Sequence, residues 1–515
     1  MADRKTVLFF PLNSPGHINS SLAIADRLKD DHDYRTVFLV LGETFGSKVQ
    51  EHGHELVVLK EKNVYRDYEI DDDDEDPSKP VDEAEMAKLG KTKRDFSGVL
   101  KWPQIISRYR KYFALEPLES FIQTLDIMES NMVSELIDNH DNYKAAIEDI
   151  NPDLIIIDAY YIPPCIVKLE QTPWVRLYSA NPLAIARSRL PDKLKPPPLS
   201  GFELLTKEKR LKLREENPDE WNAMTKRWRD AIERIIQALN KSDRPIQPFL
   251  DEHGCGPLEP GQQAHDSPYL NLYMFPKEID YDQDDDILEY NPRWFRCDSL
   301  FRKPTTKINP TEAALWMKRL DEGMRGKSEM VYFSLGTIAS GDVNLMKRFI
   351  NFFREDAKRL YVISKGVGGH KFELDSSNMI GDDYVPQTLL VSKANLAIIH
   401  GGNNSVTECL YFGTPMIVLP VFGDQSDNAQ RIADLGLGKR LNAHSCSKEE
   451  LFKVMDEVLS DERMTTKCRQ LGEKMRARDD TRKVSLMLRK LINEGHLEQS
   501  FIEECRNREV EDIQF

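Results

Sequence analysis

The feature that most constrains the fold is the stretch 398–430, IIHGGNNSVTECLYFGTPMIVLPVFGDQSDNAQ, in which apolar and polar segments alternate. The expected order is a strand, a glycine turn, a helix, a second strand and a polar loop, over residues 394–399, 400–405, 405–412, 416–420 and 423–426. In an open α/β sheet, ligands bind in such turns, at the carboxyl ends of the strands. Gly401 and Gly402 let the backbone approach a ligand, and the free amides at the helix start favour an anion. The stretch therefore predicts a site for a phosphate-bearing ligand, the alternative being a Rossmann-type turn with incidental polar residues.

Strands and helices also alternate along the rest of the chain. In the first half, strands are expected at 6–12, 35–41, 56–60, 153–157, 174–178 and 267–274, with a helix at 20–29. In the second half, helices at 310–323 and 345–354 alternate with strands at 330–335 and 360–364. Such alternation is typical of parallel sheets covered by helices, and continuous apolar strands such as DLIII at 153–157 are typical of their interior. The sequence predicts an α/β fold with two domains, because 515 residues exceed what one core accommodates.

The expected division gives a first domain at 1–285, a linker at 286–309, a second domain at 310–480 and final helices at 481–515. Acidic, proline-containing sequence after Asp280 favours the linker. Residues 206–241 favour long amphipathic helices, in which Trp221 and Trp228 recur at helical spacing and are expected in the core.

Composition excludes several functional classes. The net charge of −15 argues against nucleic-acid binding, which needs a basic face. No apolar run reaches the roughly eighteen residues of a membrane helix, and the apolar start at 6–12 lacks a cleavage site, so neither a membrane anchor nor a signal peptide is expected. The seven cysteines show no metal-ligand spacing and are expected to be reduced thiols of a cytoplasmic protein.

The acidic run DDDDED at 71–76 is a candidate cation site, because neighbouring carboxylates can bind a divalent metal. Six like charges in a row repel one another and prefer water. A solvated loop is the favoured interpretation, and no metal site is expected.

A second polar turn, Ser14-Pro15-Gly16-His17, follows the first predicted strand. An imidazole titrates near neutrality, so His17 can take a proton from a hydroxyl group. Asp158 ends the DLIII strand and can orient that imidazole and stabilise its charged form. The residues alone equally allow a histidine that caps the helix without a catalytic role. For Asp158, an aspartate that caps a turn is the less favoured alternative.

Together these patterns resemble the family 1 UDP-glycosyltransferases, which move a sugar from a UDP-sugar to a small lipophilic acceptor. The donor-binding signature of that family is matched in register by His400, Gly401, Gly402, Asn404, Ser405, Glu408, Gly413, Thr414, Pro415, Asp424 and Gln425. The resemblance implies the GT-B fold, in which two Rossmann-like domains face each other across a cleft. It also implies that His17 is the catalytic base and Asp158 its partner, because the family places its base in a Gly-His turn after the first strand.

The resemblance implies further donor-site roles. Phosphate contacts are expected from Thr337, Ser364, His400, Gly402, Asn404 and Ser405. Glu408 is expected at the ribose, Asp424 and Gln425 at the transferred hexose, and Tyr384, Val385 and Gln387 at the uracil. Three positions depart from the family pattern: Tyr384 replaces the usual Trp, Ile399 a common Thr or Ser, and Ser20 a frequent Pro.

The implied reaction is an inverting displacement that gives a β-glycoside without a metal or other cofactor. UDP-glucose is the first donor expected, with N-acetylglucosamine, galactose and glucuronate donors open. The acceptor is expected to be a small lipophilic hydroxylated compound, such as a flavonoid, another phenolic or a xenobiotic, in a detoxifying role. Its pocket is expected at Trp102, Tyr160 and Tyr161, with the loops 96–102 and 179–188. The chain resembles the soluble bacterial- or mite-type branch, and a monomer is the default.

Two other functions remain open at this stage. UDP-N-acetylglucosamine 2-epimerases share the two-domain fold but do not show the complete donor signature. A non-catalytic UDP-sugar-binding protein is the second alternative, and the presence of both His17 and Asp158 argues against it.

Overall fold

The structure, a computed structural model, describes residues 4–31, 34–42, 46–60, 110–185, 195–240, 246–259, 262–281, 286–297, 310–374, 377–478 and 480–508. These residues form two parallel sheets, one of seven strands and one of six. The strands of the first sheet, β1 to β7, are Thr6–Pro11, Arg35–Leu41, Glu55–Leu59, Leu154–Asp158, Trp174–Tyr178, Leu270–Met274 and Trp294–Cys297. Those of the second, β8 to β13, are Glu329–Ser334, Arg359–Ser364, Met379–Asp382, Leu396–Ile399, Met416–Val418 and Gly438–Arg440.

The helices are numbered in chain order. Those of the first half, α1 to α9, are Pro15–Asp31, Gly46–Glu51, Arg110–Phe113, Pro117–Ile150, Pro164–Val167, Lys207–Glu216, Pro218–Asn240, Gln247–Glu252 and Asp286–Tyr290. Those of the second half, α10 to α19, are Pro310–Gly323, Gly336–Ala339, Val343–Arg354, Gln387–Val391, Asn403–Phe412, Gln425–Asp434, Lys448–Ser460, Glu462–Ala477, Asp480–Glu494 and Gln499–Asn507.

Each sheet reverses its direction of strand addition at one point. The orders are β3-β2-β1-β4-β5-β6-β7 and β10-β9-β8-β11-β12-β13, so the reversals lie between β1 and β4 and between β8 and β11. Pro11 lies opposite Asp158 in the first sheet, and Ser334 lies opposite Ile399 in the second. Ligands of doubly wound sheets bind in the crevice at such a reversal. The polar turns found in the sequence follow these strands.

The core of the second sheet shows how the sequence pattern fixes a helix. Helix α12 buries Val343, Met346, Phe349, Ile350 and Phe353, which recur every three or four positions along one face. Two of these rings pack on Phe333 of β8, with centroid separations of 5.5 and 5.0 Å. The apolar strand thus gains its cover from the helix that follows it.

The last helices cross back to the first sheet. Helix α18 buries Val484, Met487 and Leu491 in the same cluster as Val7 and Phe9 of β1. Just before this crossing, the guanidinium of Arg478 makes an ion pair with the carboxylate of Glu278, with N···O distances of 2.5 and 2.8 Å.

The predicted start of the linker is wrong. Residues 286–297, expected in the linker 286–309, instead form helix α9 and strand β7, which pairs with β6 as the last strand of the first sheet. The short apolar run of this strand follows acidic sequence and was therefore not recognised as a strand. Trp294 and Cys297, which belong to it, are fully buried. Residues 298–309 lie outside the described part, as does the acidic run 71–76.

Other features of the fold concern the tryptophans, the cysteines and the helices. Trp221 and Trp228 are buried, as predicted, and the seven cysteines form no disulfide bond with one another. None of the helices described is long and apolar enough to cross a membrane. The 34-residue helix α4, Pro117–Ile150, was not anticipated from its sequence.

Candidate active site between the two sheets

The two polar turns meet across the cleft. The side-chain amide of Asn404, at the start of α14, donates to the backbone carbonyl of Gly16 at 2.9 Å. Its neighbour Asn403 donates to the carbonyls of Ser179 and Met274 at 3.0 and 2.7 Å. The turn that carries His17 and the turn that carries His400 therefore face one another.

His17 and Asp158 form a close pair at the reversal point of the first sheet. His17 Nδ1 lies 2.9 Å from Asp158 Oδ1, and the carboxylate is only 2% exposed. Because Nδ1 faces a carboxylate, the neutral ring carries its proton on Nδ1 and a lone pair on Nε2. Burial disfavours the imidazolium, but Asp158, helped by the more distant Asp424, outweighs this and raises the pKa of His17 above 6.5.

Ser179 completes this cluster and was not anticipated as part of it. The residue follows β5, which is the neighbour of β4, and its Oγ lies 3.1 Å from both His17 Nδ1 and Asp158 Oδ1. The second carboxylate oxygen, Asp158 Oδ2, is buried and has no hydrogen-bond partner among the described residues.

Asp424 approaches the same place from the second domain. Its carboxylate accepts the backbone N–H of Asn181 at 2.8 Å, and loss of hydration raises its pKa, against the effects of that bond and of His17. Tyr160 lies edge-on to the His17 ring, with centroids 5.5 Å apart. Burial, reinforced by the Asp424 charge, raises the pKa of Tyr160 far above its usual value, so its phenol stays neutral.

Gln425, the partner of Asp424 in the sequence motif, points elsewhere. Its side chain is 3% exposed, and its Oε1 accepts the backbone N–H groups of Val421 and Phe422. Gln425 thus holds the loop that presents Asp424, a role the sequence did not indicate.

His400 is neutral in this structure. Burial lowers its pKa to about 4, and a hydrogen bond with the backbone of Ser334 offsets this only in part. Two glycines make room for its ring, since a Cβ on Gly336 or Gly402 would lie 2.6 or 2.5 Å from an imidazole atom. His400 Nδ1 is buried and has no hydrogen-bond partner among the described residues.

Gln387 links three other polar groups of the second domain. Its Nε2 donates to Glu408 Oε2 at 2.5 Å and to Ser405 Oγ at 3.1 Å, while its Oε1 accepts from the Tyr332 hydroxyl at 2.9 Å. Glu408 is therefore oriented before any ligand binds. Tyr332, buried on β8, was missed because a tyrosine inside an apolar strand gives no functional signal.

The remaining donor-site positions lie at the ends of adjacent strands. Thr337 is in the turn of helix α11 after β8, and Ser364 ends β9 opposite Ser334. Tyr384 is 61% exposed, so its ring is open to a stacking partner, and the half-buried Val385 follows it.

Two of the three aromatic residues predicted for an acceptor pocket line one cavity. Tyr160 and Tyr161, with Phe10, Leu136 and Tyr143 among others, enclose about 50 Å³ beside the first turn. Trp102, with the loop 96–102, lies outside the described residues.

A possible metal cluster occurs elsewhere in the described chain. The side chains of Asp26, His52 and His54 converge, with His–Asp distances of 2.8 and 3.0 Å. His54 precedes β3, so the cluster lies at the opposite edge of the sheet from His17. The three groups satisfy one another by hydrogen bonds and are separate from the cleft.

The chain is similar to known proteins in part of its sequence and in its fold. Residues 306–473 match the family model described as "UDP-glucoronosyl and UDP-glucosyl transferase". The chain is 28% identical over 157 residues to the uncharacterized UDP-glucosyltransferase YojK of Bacillus subtilis, covering 30% of this chain and 39% of that protein. It is 32% identical over 139 residues to UDP-glucuronosyltransferase 2B13 of Oryctolagus cuniculus, covering 26% of each. The match to the first relatives thus spans well under two thirds of their length.

Solved structures match over nearly the whole chain. The glycotransferase of kitacinnamycin superposes with a TM-score of 0.57 at 18% identity, covering 95% of this chain and 99% of that one. The spinosyn rhamnosyltransferase SpnG, complexed with thymidine diphosphate, gives a TM-score of 0.55 at 16% identity, covering 94% and 99%. The fold is therefore GT-B, as predicted.

Proposed function

We propose that this chain transfers a hexose from a UDP-sugar to a hydroxyl of a small lipophilic acceptor. The match of residues 306–473 to the family model of UDP-glucuronosyl and UDP-glucosyl transferases supports this proposal. UDP-glucose is the first donor proposed, and inversion gives a β-glycoside. The supporting observation is the His17–Asp158 pair, which lies across the cleft from the donor signature at the contact between Gly16 and Asn404.

The base chemistry follows from the tautomer of His17. With Nδ1–H directed at Asp158, the Nε2 lone pair takes the proton of the acceptor hydroxyl as that oxygen attacks the anomeric carbon. Asp158 stabilises the imidazolium that forms. General-base assistance of this kind contributes roughly 10²–10⁴-fold to a rate.

The leaving UDP is stabilised from the second domain. His400 is proposed to donate a hydrogen bond to the leaving diphosphate. The backbone amides at the start of helix α14, with Asn404 and Ser405, supply the positive end of a helix dipole to the pyrophosphate. Thr337 and Ser364 are proposed as further phosphate contacts.

The nucleoside and sugar contacts follow the same geometry. Tyr384 stacks on the uracil beside Val385, and Glu408, held by Gln387, accepts from the ribose hydroxyls. Asp424 accepts from the hexose, whereas Gln425 supports the loop that carries Asp424.

The proposed acceptor pocket is the cavity at Tyr160 and Tyr161. Its aromatic and apolar lining suits a flat phenol, such as a flavonoid or a xenobiotic phenolic. Its volume of about 50 Å³ is smaller than such a molecule, so its walls must separate on binding. The seven cysteines form no disulfide bond with one another, which supports the proposal of a reducing, cytoplasmic location.

A screen by mass spectrometry tests the proposal. The full chain is incubated with UDP-glucose and a panel of phenols and aliphatic alcohols, and a hexose mass gain on one acceptor is expected. Parallel incubation with UDP-glucose or UDP-N-acetylglucosamine alone tests for an epimerase, which makes a new UDP-sugar without acceptor. UDP binding without transfer or epimerisation, over the whole panel and several UDP-sugars, would contradict the enzyme assignment.

A further inference from the structure

The hydroxyl of Ser179 contacts both members of the proposed base pair. Its Oγ lies 3.1 Å from Asp158 Oδ1 and 3.1 Å from His17 Nδ1. A hydroxyl can donate one hydrogen bond and accept others. Ser179 therefore donates its O–H to the Asp158 carboxylate, and its Oγ is a second acceptor, beside Asp158 Oδ1, for the N–H of His17 Nδ1. One oxygen atom thereby fixes both the ring and the carboxylate.

Asp158 depends on this contact. The carboxylate is almost fully buried, and its Oδ2 has no hydrogen-bond partner among the described residues. Both of its polar contacts, His17 Nδ1 and Ser179 Oγ, therefore fall on Oδ1. A buried charge with so few partners is sensitive to the loss of either.

Ser179 is in turn held by the second domain. Asn403, at the start of α14, donates from Nδ2 to the carbonyl of Ser179 at 3.0 Å and to that of Met274 at 2.7 Å. Two residues further on, Asn181 donates to Asp424 from its backbone and to Asn428 from its side chain, both at 2.8 Å. The loop after β5 is therefore fixed by donor-domain side chains only when the two domains are in contact.

We propose that Ser179 is a positioning residue for the His17–Asp158 pair, and that Asn403 makes its position depend on contact between the domains. The catalytic consequence rests on the function proposed above. The base would then be fully oriented only while the donor domain is docked.

The sign of the expected effect follows from the strengths of the two bonds. Loss of the Ser179 donor leaves Asp158 more basic, which raises the pKa of His17. Loss of the shared Nδ1–H···Oγ bond acts in the opposite direction but is weaker, because hydrogen bonds to a charged group are roughly twice as strong as neutral ones. The other charged or titratable groups near the ring, Asp424 and Tyr160, are not changed.

The test is an NMR titration of the full-length protein that needs no acceptor. Histidines are labelled at Cε1 and the His17 signal is assigned with His17→Gln. In Ser179→Ala the pKa of His17 should rise by roughly half a unit to one unit, whereas Ser179→Thr, which keeps the hydroxyl, should titrate as wild type. Asn403→Ala should shift it upward by less than Ser179→Ala does.

Thr225→Ala serves as the matched control, because it removes a buried hydroxyl in α7 that bonds the carbonyls of Trp221 and Asn222 in its own helix. An unchanged His17 titration in Ser179→Ala would overturn the role of Ser179, and a Thr variant that behaves like Ala would assign the effect to packing. An unchanged titration in Asn403→Ala would overturn the coupling to docking.

Kinetics give the second readout. If the wild type transfers glucose, Ser179→Ala should lower kcat about tenfold with little change in the affinity for UDP. The acidic side of the curve of kcat against pH should move to higher pH in this variant. A wild type that transfers no sugar would defeat the proposed function, while the titration would still decide the role of Ser179.

Discussion

The carboxylate of Asp427, on helix α15 of the second domain, accepts the backbone N–H of Gly201 in the first domain at 2.8 Å. It also accepts the N–H of Leu199 at 2.5 Å. Both residues have positive φ values, 60° at Gly201 and 64° at Leu199, so a left-handed turn directs two amides at one buried carboxylate. The two domains are thus joined by a charge that has lost its hydration.

This contact predicts a pH-dependent stability. Burial, reinforced by Asp424, raises the pKa of Asp427 to about 7, against the effects of the two amides and Arg440. A carboxyl whose folded pKa exceeds its unfolded value binds a proton more tightly when folded, so its contribution is present below about pH 4 and is lost as pH rises through 7. The loss is of the order of 4 kcal/mol. Calorimetry between about pH 4.5 and about pH 8 should show a steeper fall in Tm for wild type than for Asp427→Asn. Parallel curves would contradict the assignment.

His17→Ala should lower sugar transfer by roughly three orders of magnitude while UDP binding, measured by calorimetry, stays close to wild type. The imidazole belongs to the first domain, and the proposed nucleotide contacts belong to the second. Near-normal turnover in this variant would exclude His17 as the base.

The rate of transfer should rise with pH through the pKa of His17. Only the neutral ring accepts a proton, and Asp158 keeps its pKa above 6.5 despite burial. In Asp158→Asn the acid limb should therefore move to lower pH, and kcat should fall because the ring loses its orientation. If the acidic side of the pH–rate curve is unchanged in Asp158→Asn, a group other than His17 controls the pH dependence.

Gly402→Ala should weaken UDP binding about tenfold. The φ of Gly402 is −59°, which suits alanine, so backbone strain does not contribute. The added Cβ would lie 2.5 Å from His400 Nε2 and would displace the imidazole. If Gly402→Ala acts by displacing the His400 imidazole, the double variant Gly402→Ala/His400→Ala should bind UDP about as well as His400→Ala alone. If the losses of UDP affinity in the two single variants add up in the double variant, Gly402→Ala acts in another way.

Gln387→Ala should reduce discrimination between UDP and 2′-deoxy-UDP. Gln387 holds Glu408 at 2.5 Å, and an untethered Glu408 loses its orientation toward the ribose hydroxyls. Tyr332→Phe removes only the hydroxyl that bonds Gln387 at 2.9 Å, so it should have the same effect at smaller size. An unchanged ratio of dissociation constants in Gln387→Ala would place the ribose elsewhere.

The sequence predicts those parts of the fold and of the candidate site that a short run of residues determines. Apolar runs predicted most of the strands, and the polar turns after them predicted His17, Asp158 and His400 at the strand ends. The role of Ser179 was out of reach, because it follows from β4 and β5 being neighbours and from Asn403 crossing the cleft. Strand β7 was missed since four residues beside acidic sequence carry too little periodicity to identify a strand.

The return of helix α18 to the first sheet means that the chain passes between the two domains twice, once between Cys297 and Pro310 and once between Ala477 and Asp480. Helix α18 is therefore part of the first domain in space although it follows the second in the chain. Deleting it would expose the apolar face of β1 that Val484, Met487 and Leu491 cover, so the first domain depends for its core on the end of the chain.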